Sequence, residues 1–324
     1  MRYGLVVCVC SINCVFGADQ ASGQWDREMA AAREQLSRAD YGNAAETLRQ
    51  ALAVAETLEP RDTRRWVTRD TLASTEETLL RLDDAELQYR AALDEIQIAI
   101  GKDNAAYAVI EAHLASVFGL RGRLHQAETL LRDSLSREAR LLPADDECPA
   151  RVHAFLAEVL IKQHRYQEAE AELNLALPVF EHEASQLMTA IALNNFAMIR
   201  HHQRRDLEAR QMLERSVGFL RRDMSSHRPL VGQIYHNLAA ISFLTGRREE
   251  VGPLYRQALE SLGQLGPDDP EYLAALTDYS QFLRRTGHKA EARAIEAQVR
   301  TARAESARAS GAGMTVDVST LHPD

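Results

Sequence analysis

The chain has 324 residues, a net charge of −9 with both signs interspersed, 26% charged residues and only 6% aromatic ones. An acidic chain of mixed charge excludes a dedicated nucleic-acid binder, and four cysteines, three of them within the first 14 residues, exclude a disulfide scaffold. Abundant Ala, Leu, Glu, Arg and Gln, with no strand-length alternation of Val, Ile or Thr, predict an all-α chain.

Residues 1–18, MRYGLVVCVCSINCVFGA, differ from everything after them. One Arg precedes an apolar stretch from Leu5 to Phe16, and Gly17-Ala18 leads into a polar segment. This is the layout of a secretory signal peptide, cut after Gly17 or Ala18, and it predicts an exported, periplasmic or secreted protein. If the segment stays on, the setting is cytoplasmic. No cysteine fits a lipoprotein acceptor, because Val7, Val9 and Asn13 precede them, and no segment is long enough to span a membrane. Removal of the leader leaves Cys148 alone, which reads as a solvent-tolerant thiol in the loop PADDECPA.

From residue 19 to 305 one motif recurs seven times: 41–52, 82–93, 124–135, 166–177, 206–217, 247–259 and 288–299. Its marker residues are Ala44, Ala85, Ala127, Ala169, Ala209, Val251 and Ala292, separated by 41, 42, 42, 40, 42 and 41 residues. Twelve positions earlier runs a second small column: Ala32, Ala73, Ala115, Ala157, Ala197, Ala239 and Ser280. The residues just before it are apolar: Ala31, Leu72, Leu114, Leu156, Phe196, Leu238 and Tyr279. Two small columns in register describe antiparallel helix pairs with close axes, helix A followed by helix B. Repeats of this length stack into a solenoid, each unit burying its apolar face against its neighbours. Pro178 is expected to kink or shorten the fourth helix B, whereas Pro253 lies early in its helix, where a missing N–H is tolerated. The arginine pairs at the turns read as helix-end charge compensation and solvation. Residues 306–324 lose the helical period and read as a flexible tail.

The pattern resembles the tetratricopeptide repeat. Leu238-Ala239, Val251, Tyr255 and Ala258 fill that family's slots, as do Leu156-Ala157, Ala169, Leu173 and Ala176. The period near 42 is similar to that of the kinesin light chain type. The resemblance implies an all-α, right-handed α-solenoid of about seven antiparallel helix pairs, and a protein or peptide partner held on the concave face lined by the A helices.

Chemistry is not signalled. There is no glycine-rich phosphate loop, no pair of His four apart with a Glu between them, and no Gly-x-Ser-x-Gly elbow, so neither an enzyme, a metal site nor a cofactor is expected. In similar proteins the position before the large apolar residue of helix A points into the groove. Here that column reads Ala30, Thr71, His113, Phe155, Asn195, Asn237 and Asp278, and the column before it Met29, Asp70, Ala112, Ala154, Asn194, His236 and Thr277. The resemblance therefore implies that Asn194, Asn195, His236, Asn237 and Asp278 contact a peptide, since an Asn amide can donate to and accept from a peptide backbone. Arg151, Lys162 and Arg285 are too dispersed for a carboxylate clamp. The expected role is a non-catalytic adaptor or assembly factor, and the competing one a cytoplasmic regulator or sensor. No nucleic acid and no stable membrane span enter either reading, and the pattern does not fix an oligomeric state.

Overall fold

The computed structural model describes residues 20–38, 40–143, 146–221, 224 and 228–312; the leader at 1–18 lies outside them. The chain divides into two compact units, 1–226 and 227–324. The first holds five helix pairs: α1 (Gln20–Ser37) with α2 (Tyr41–Ala55), α3 (Thr63–Thr78) with α4 (Leu82–Ile100), α5 (Ala105–Leu120) with α6 (Leu124–Leu141), α7 (Glu147–Lys162) with α8 (Tyr166–His182), and α9 (Gln186–His202) with α10 (Asp206–Leu220). The second holds α11 (Arg228–Leu244) with α12 (Arg248–Leu262), and α13 (Pro270–Arg285) with α14 (Lys289–Ala312). Among the described residues there is no strand.

The six hairpins from α3–α4 onward are closed by the same turn. Leu80, Gly122, His164, Arg204, Gly246 and Gly287 have φ between 59° and 92°. The next residue's N–H returns to a carbonyl five residues back: Arg81 to Glu76, Arg123 to Phe118, Arg165 to Leu160, Arg205 to Arg200, Arg247 to Ser242 and His288 to Leu283, at 2.8–2.9 Å. This bond satisfies carbonyls that the end of helix A leaves open. At Leu80, His164 and Arg204 a side chain sits where glycine is the natural choice, at a cost of about 1–2 kcal/mol each. Four of the A helices, α3, α5, α7 and α13, are started in turn by side-chain caps. Asp62, Asn104, Asp146 and Asp269 accept from the N–H of Arg64, Tyr107, Cys148 and Glu271 at 2.8–3.0 Å.

The two small columns are where the helices of a pair meet. Every marker from Ala44 to Ala292 is 0% exposed, and so is every member of the facing column except Ser280, at 3%. Four residues after the marker, Leu48, Tyr89, Leu131, Leu173, Leu213 and Tyr255 fill the space beside them. Seven after it, Ser134 and Ser216 replace alanine and donate to the Ala108 and Ala190 carbonyls at 2.8 and 2.7 Å, so each hydroxyl is buried with a partner. Glu296, the one polar residue in the Leu/Tyr column, pairs instead with Arg284 at 2.7 Å.

Several sequence expectations are corrected. Pro178 does not shorten its helix, because α8 runs four residues beyond it, to His182. Pro253 lies inside α12, past the first turn, so it removes a hydrogen bond of the helix ladder. The helix expected to stop by 305 continues to Ala312, through alanines and arginines that favour it; residues 313–324 lie outside the described set. Cys148 belongs to the first turn of α7 and is partly buried. Members of the arginine pairs also form ion pairs: Arg205 with Glu208 at 2.7 Å, Arg247 with Glu250 at 3.3 Å and Arg284 with Glu296 at 2.7 Å. Three other arginines, Arg123, Arg165 and Arg200, each reach a glutamate one residue after the preceding repeat's marker, Glu86, Glu128 and Glu170, at 3.2, 2.7 and 2.7 Å.

Candidate functional site

Helix A of each repeat carries the two columns expected to face a groove, and the structure shows how neighbouring A helices meet there. A residue of the earlier column in one repeat touches a residue of the later column in the next. In the first unit His113 Nδ1 lies 2.7 Å from Asp70 Oδ1. In the second, His236 Nε2 lies 2.9 Å from Asp278 Oδ2.

In the first unit most of these positions are buried. Thr71, Ala112, His113 and Ala154 are at most 5% exposed, and Asn194 and Asn195 are 0% exposed. Neither Asn amide therefore faces solvent, contrary to the groove expectation: the A helices approach too closely to leave these columns open. Asn195 Oδ1 and Nδ2 have no hydrogen-bond partner. Phe155 stays half-buried between two small pockets on the α5–α7 seam.

The second unit is more open. The His236 side chain is 13% exposed and that of Asp278 45%, and Asn237 is half-buried. Their floor is aromatic. The His236 ring lies 5.9 Å from that of Tyr255, which lies 5.3 Å from Tyr279. Burial, helped by the Asp278 charge, pushes the Tyr255 hydroxyl above the usual tyrosine range, so it stays a neutral donor. The unit can thus offer a carboxylate, an imidazole and an amide over an apolar base. The structure groups three of the five expected residues here and buries the other two.

The cations considered for a clamp are otherwise engaged. Lys162 pairs with Glu158 at 2.9 Å, and Arg285 lies over the Phe243 ring at 5.6 Å. His201 faces Asp206 at 2.6 Å, and His202 stacks on Tyr166 at 4.3 Å. Among the described residues no three His, Cys, Asp or Glu are placed to hold a metal ion, and no helix is long and apolar enough to cross a membrane.

One notable residue escaped the sequence reading. Glu138 occupies the position eleven after the marker, filled by Ala55, Ile96, Phe180, Leu220 and Leu262 in five other repeats and by exposed Arg303 in the terminal one. Aligning that column would have exposed it as the single acid, and the one charged residue before the terminal repeat.

Residues 149–222 and 230–305 match the family described as tetratricopeptide repeat. Among solved structures, a Rap protein complexed with Competence and Sporulation Factor is similar over 90% of this chain and 89% of its own, at 11% identity and a TM-score of 0.63. The apo quorum sensor NprR from B. thuringiensis is similar over 87% of this chain and 75% of its own, at 14% identity and 0.58. BtubC (BKLC) from P. vanneervenii is similar over 74% and 92%, at 18% identity and 0.52. At these identities the likeness is one of fold. No curated protein matches the chain by sequence.

Proposed function

Because the chain is a tetratricopeptide repeat protein, we propose that it works without chemistry of its own, binding a peptide or protein segment on the helix-A face of its second unit. The observation that carries this reading is the partly open group of His236, Asn237 and Asp278 on successive A helices, joined at 2.9 Å over Tyr255 and Tyr279. An extended segment needs donors and acceptors for its backbone. Asn237 and Asp278 supply them, and Tyr255 and Tyr279, buried at 4% and 8% exposure, support the group from beneath. Asn194 and Asn195, without accessible surface, are left out of the contact set.

The role is that of an adaptor or assembly factor. The layout of residues 1–18 supports an exported setting, periplasmic or secreted. N-terminal sequencing of the native protein tests the setting: a start at Ala18 or Asp19 is expected, and an intact Met1 would favour the cytoplasmic, regulatory form of the same binding role. The face itself is tested with a photo-crosslinking side chain at Asn237 and, as control, at exposed Arg256. A peptide selected on the full chain from a random display library should crosslink from position 237 and not from 256. The reverse pattern would move the site elsewhere.

A further inference from the structure

The columns eight and eleven residues after the marker are where helix B of one repeat meets helix A of the next. Leu52 and Ala55 of α2 share a core cluster with Leu72 of α3, and Leu259 of α12 packs on the cluster of Leu273 and Leu276 of α13. The earlier column reads Leu52, Leu93, Leu135, Leu177, Val217 and Leu259, each buried or half-buried. The later column is buried in the same six repeats. In α14 the two positions hold Arg300 and Arg303, and both are exposed. Among the described residues no element follows α14 to cover this face.

Lys289 and Arg293 extend the change. Steps of four, seven and three residues put Lys289, Arg293, Arg300 and Arg303 on one face, along about 21 Å of helix. All four are exposed, and among the described residues none has a carboxylate within ion-pair distance. Glu296, on the same face, is turned to Arg284 at 2.7 Å. The end of a repeat array needs a polar outer face, but a face that only solvates carries both signs. The first helix does so, because Asp26, Arg27, Arg33 and Glu34 of α1 are mixed in sign, with at most Glu34 and Arg38 paired beside them. The cations of α14 are of one sign and unpaired, and their complement is a row of carboxylates. The net charge of −9 repels long polyanions such as nucleic acid or an anionic bilayer, whereas a short acidic segment meets the patch alone. The shape of that segment follows from the repeat: in the earlier pairs an α-helix lies across these same columns.

We infer that this face of α14 docks an acidic helix of a partner protein, whose carboxylates, three and four residues apart, pair with Arg293, Arg300 and Arg303. The surface is separate from the helix-A face around Asn237, and neither depends on the other.

The test uses the full chain and three labelled, alanine-based helical peptides of about 20 residues, followed by fluorescence anisotropy. The first carries glutamates three and four apart along one face. The second has glutamine in their place, and the third has the same glutamates spread around the helix. The first should bind saturably, and more weakly as salt rises. The second should not bind, and the third should bind at least tenfold more weakly. Arg300→Gln combined with Arg303→Gln should weaken the first peptide at least tenfold without changing the melting temperature, since both side chains are exposed. Arg33→Gln on α1 should leave binding unchanged. Absence of saturable binding by the first peptide, equal affinity of the second or third, or equal affinity in the double variant would overturn the assignment. Tighter binding of single-stranded DNA of equal charge, or of anionic vesicles, would overturn it in favour of another class of partner. Self-association of the chain that the double variant abolishes would overturn it in favour of a second copy.

Discussion

His113 Nδ1 meets the Asp70 carboxylate at 2.7 Å across two neighbouring A helices. His236 and Asp278 repeat that contact at 2.9 Å with the two residue types exchanged. The relationship is therefore a property of the repeat register and not of one pair. Asn195 stands in the same column as His113, is 0% exposed and has no hydrogen-bond partner for either amide atom.

An amide buried without a partner loses its water bonds and gains none, which costs about 1–3 kcal/mol. Asn195→Leu should therefore raise stability by about 1 kcal/mol, read as a higher urea midpoint. A loss of similar size would mean that the amide is satisfied and that its burial serves a contact.

Gly232 tests the close approach of α11 and α12. A Cβ there would lie 2.6 Å from Leu262 Cγ and 3.1 Å from the Ala258 carbonyl. Gly232→Ala should cost about 1–3 kcal/mol through overpacking. Gly218, inside α10, has nothing within 4 Å of such a Cβ. Gly218→Ala should stabilise by up to about 1 kcal/mol, because helix propensity alone acts there. Thermal melts of the two variants should move in opposite directions.

The pH profile of stability should fall on both sides. On the alkaline side Glu77 is held protonated. Its environment outweighs the Ser116 and Tyr89 hydroxyls, which favour the charged form, and burial brings its pKa to about 8. Its folded value exceeds its unfolded one, so its contribution is complete below the ordinary carboxylate range and is lost as pH rises towards 8. On the acid side burial pushes Glu128 up, but Arg165, Gln163 and Arg132 pull it further down, to about 2. Its contribution is present above the ordinary range and is lost as pH falls towards 2. Glu77→Gln should flatten the alkaline limb between pH 5 and 8 and leave the acid limb in place. Melting temperature against pH for the two proteins checks this.

The helix pairs could be read from the sequence because small residues at fixed spacing leave few other packings. Ala157 and its partner Ala169 can sit at 0% exposure only where two axes approach closely. The turns were half legible: Gly122, Gly246 and Gly287 announce a left-handed cap, while Leu80, His164 and Arg204 adopt it with no residue signal. The site was less legible. A helical column gives the direction of a side chain but not the distance to the next A helix, and that distance separates buried Asn195 from accessible Asp278. Glu138 was missed for another reason. A single acid late in helix B resembles any solvated glutamate until its column is aligned with Phe180 and Leu262.

The central claim is that the helix-A face of the second unit holds an extended segment through Asn237 and Asp278. Its most direct test is the calorimetric Kd of a display-selected peptide for the unaltered chain and for the Asn237→Ala, Asp278→Ala double variant, with both melting curves recorded. Both residues lie partly exposed, so the melting temperature should change little. Affinity should fall at least tenfold, about 1.4 kcal/mol or more. Equal affinity in a double variant that melts like the parent would contradict the account.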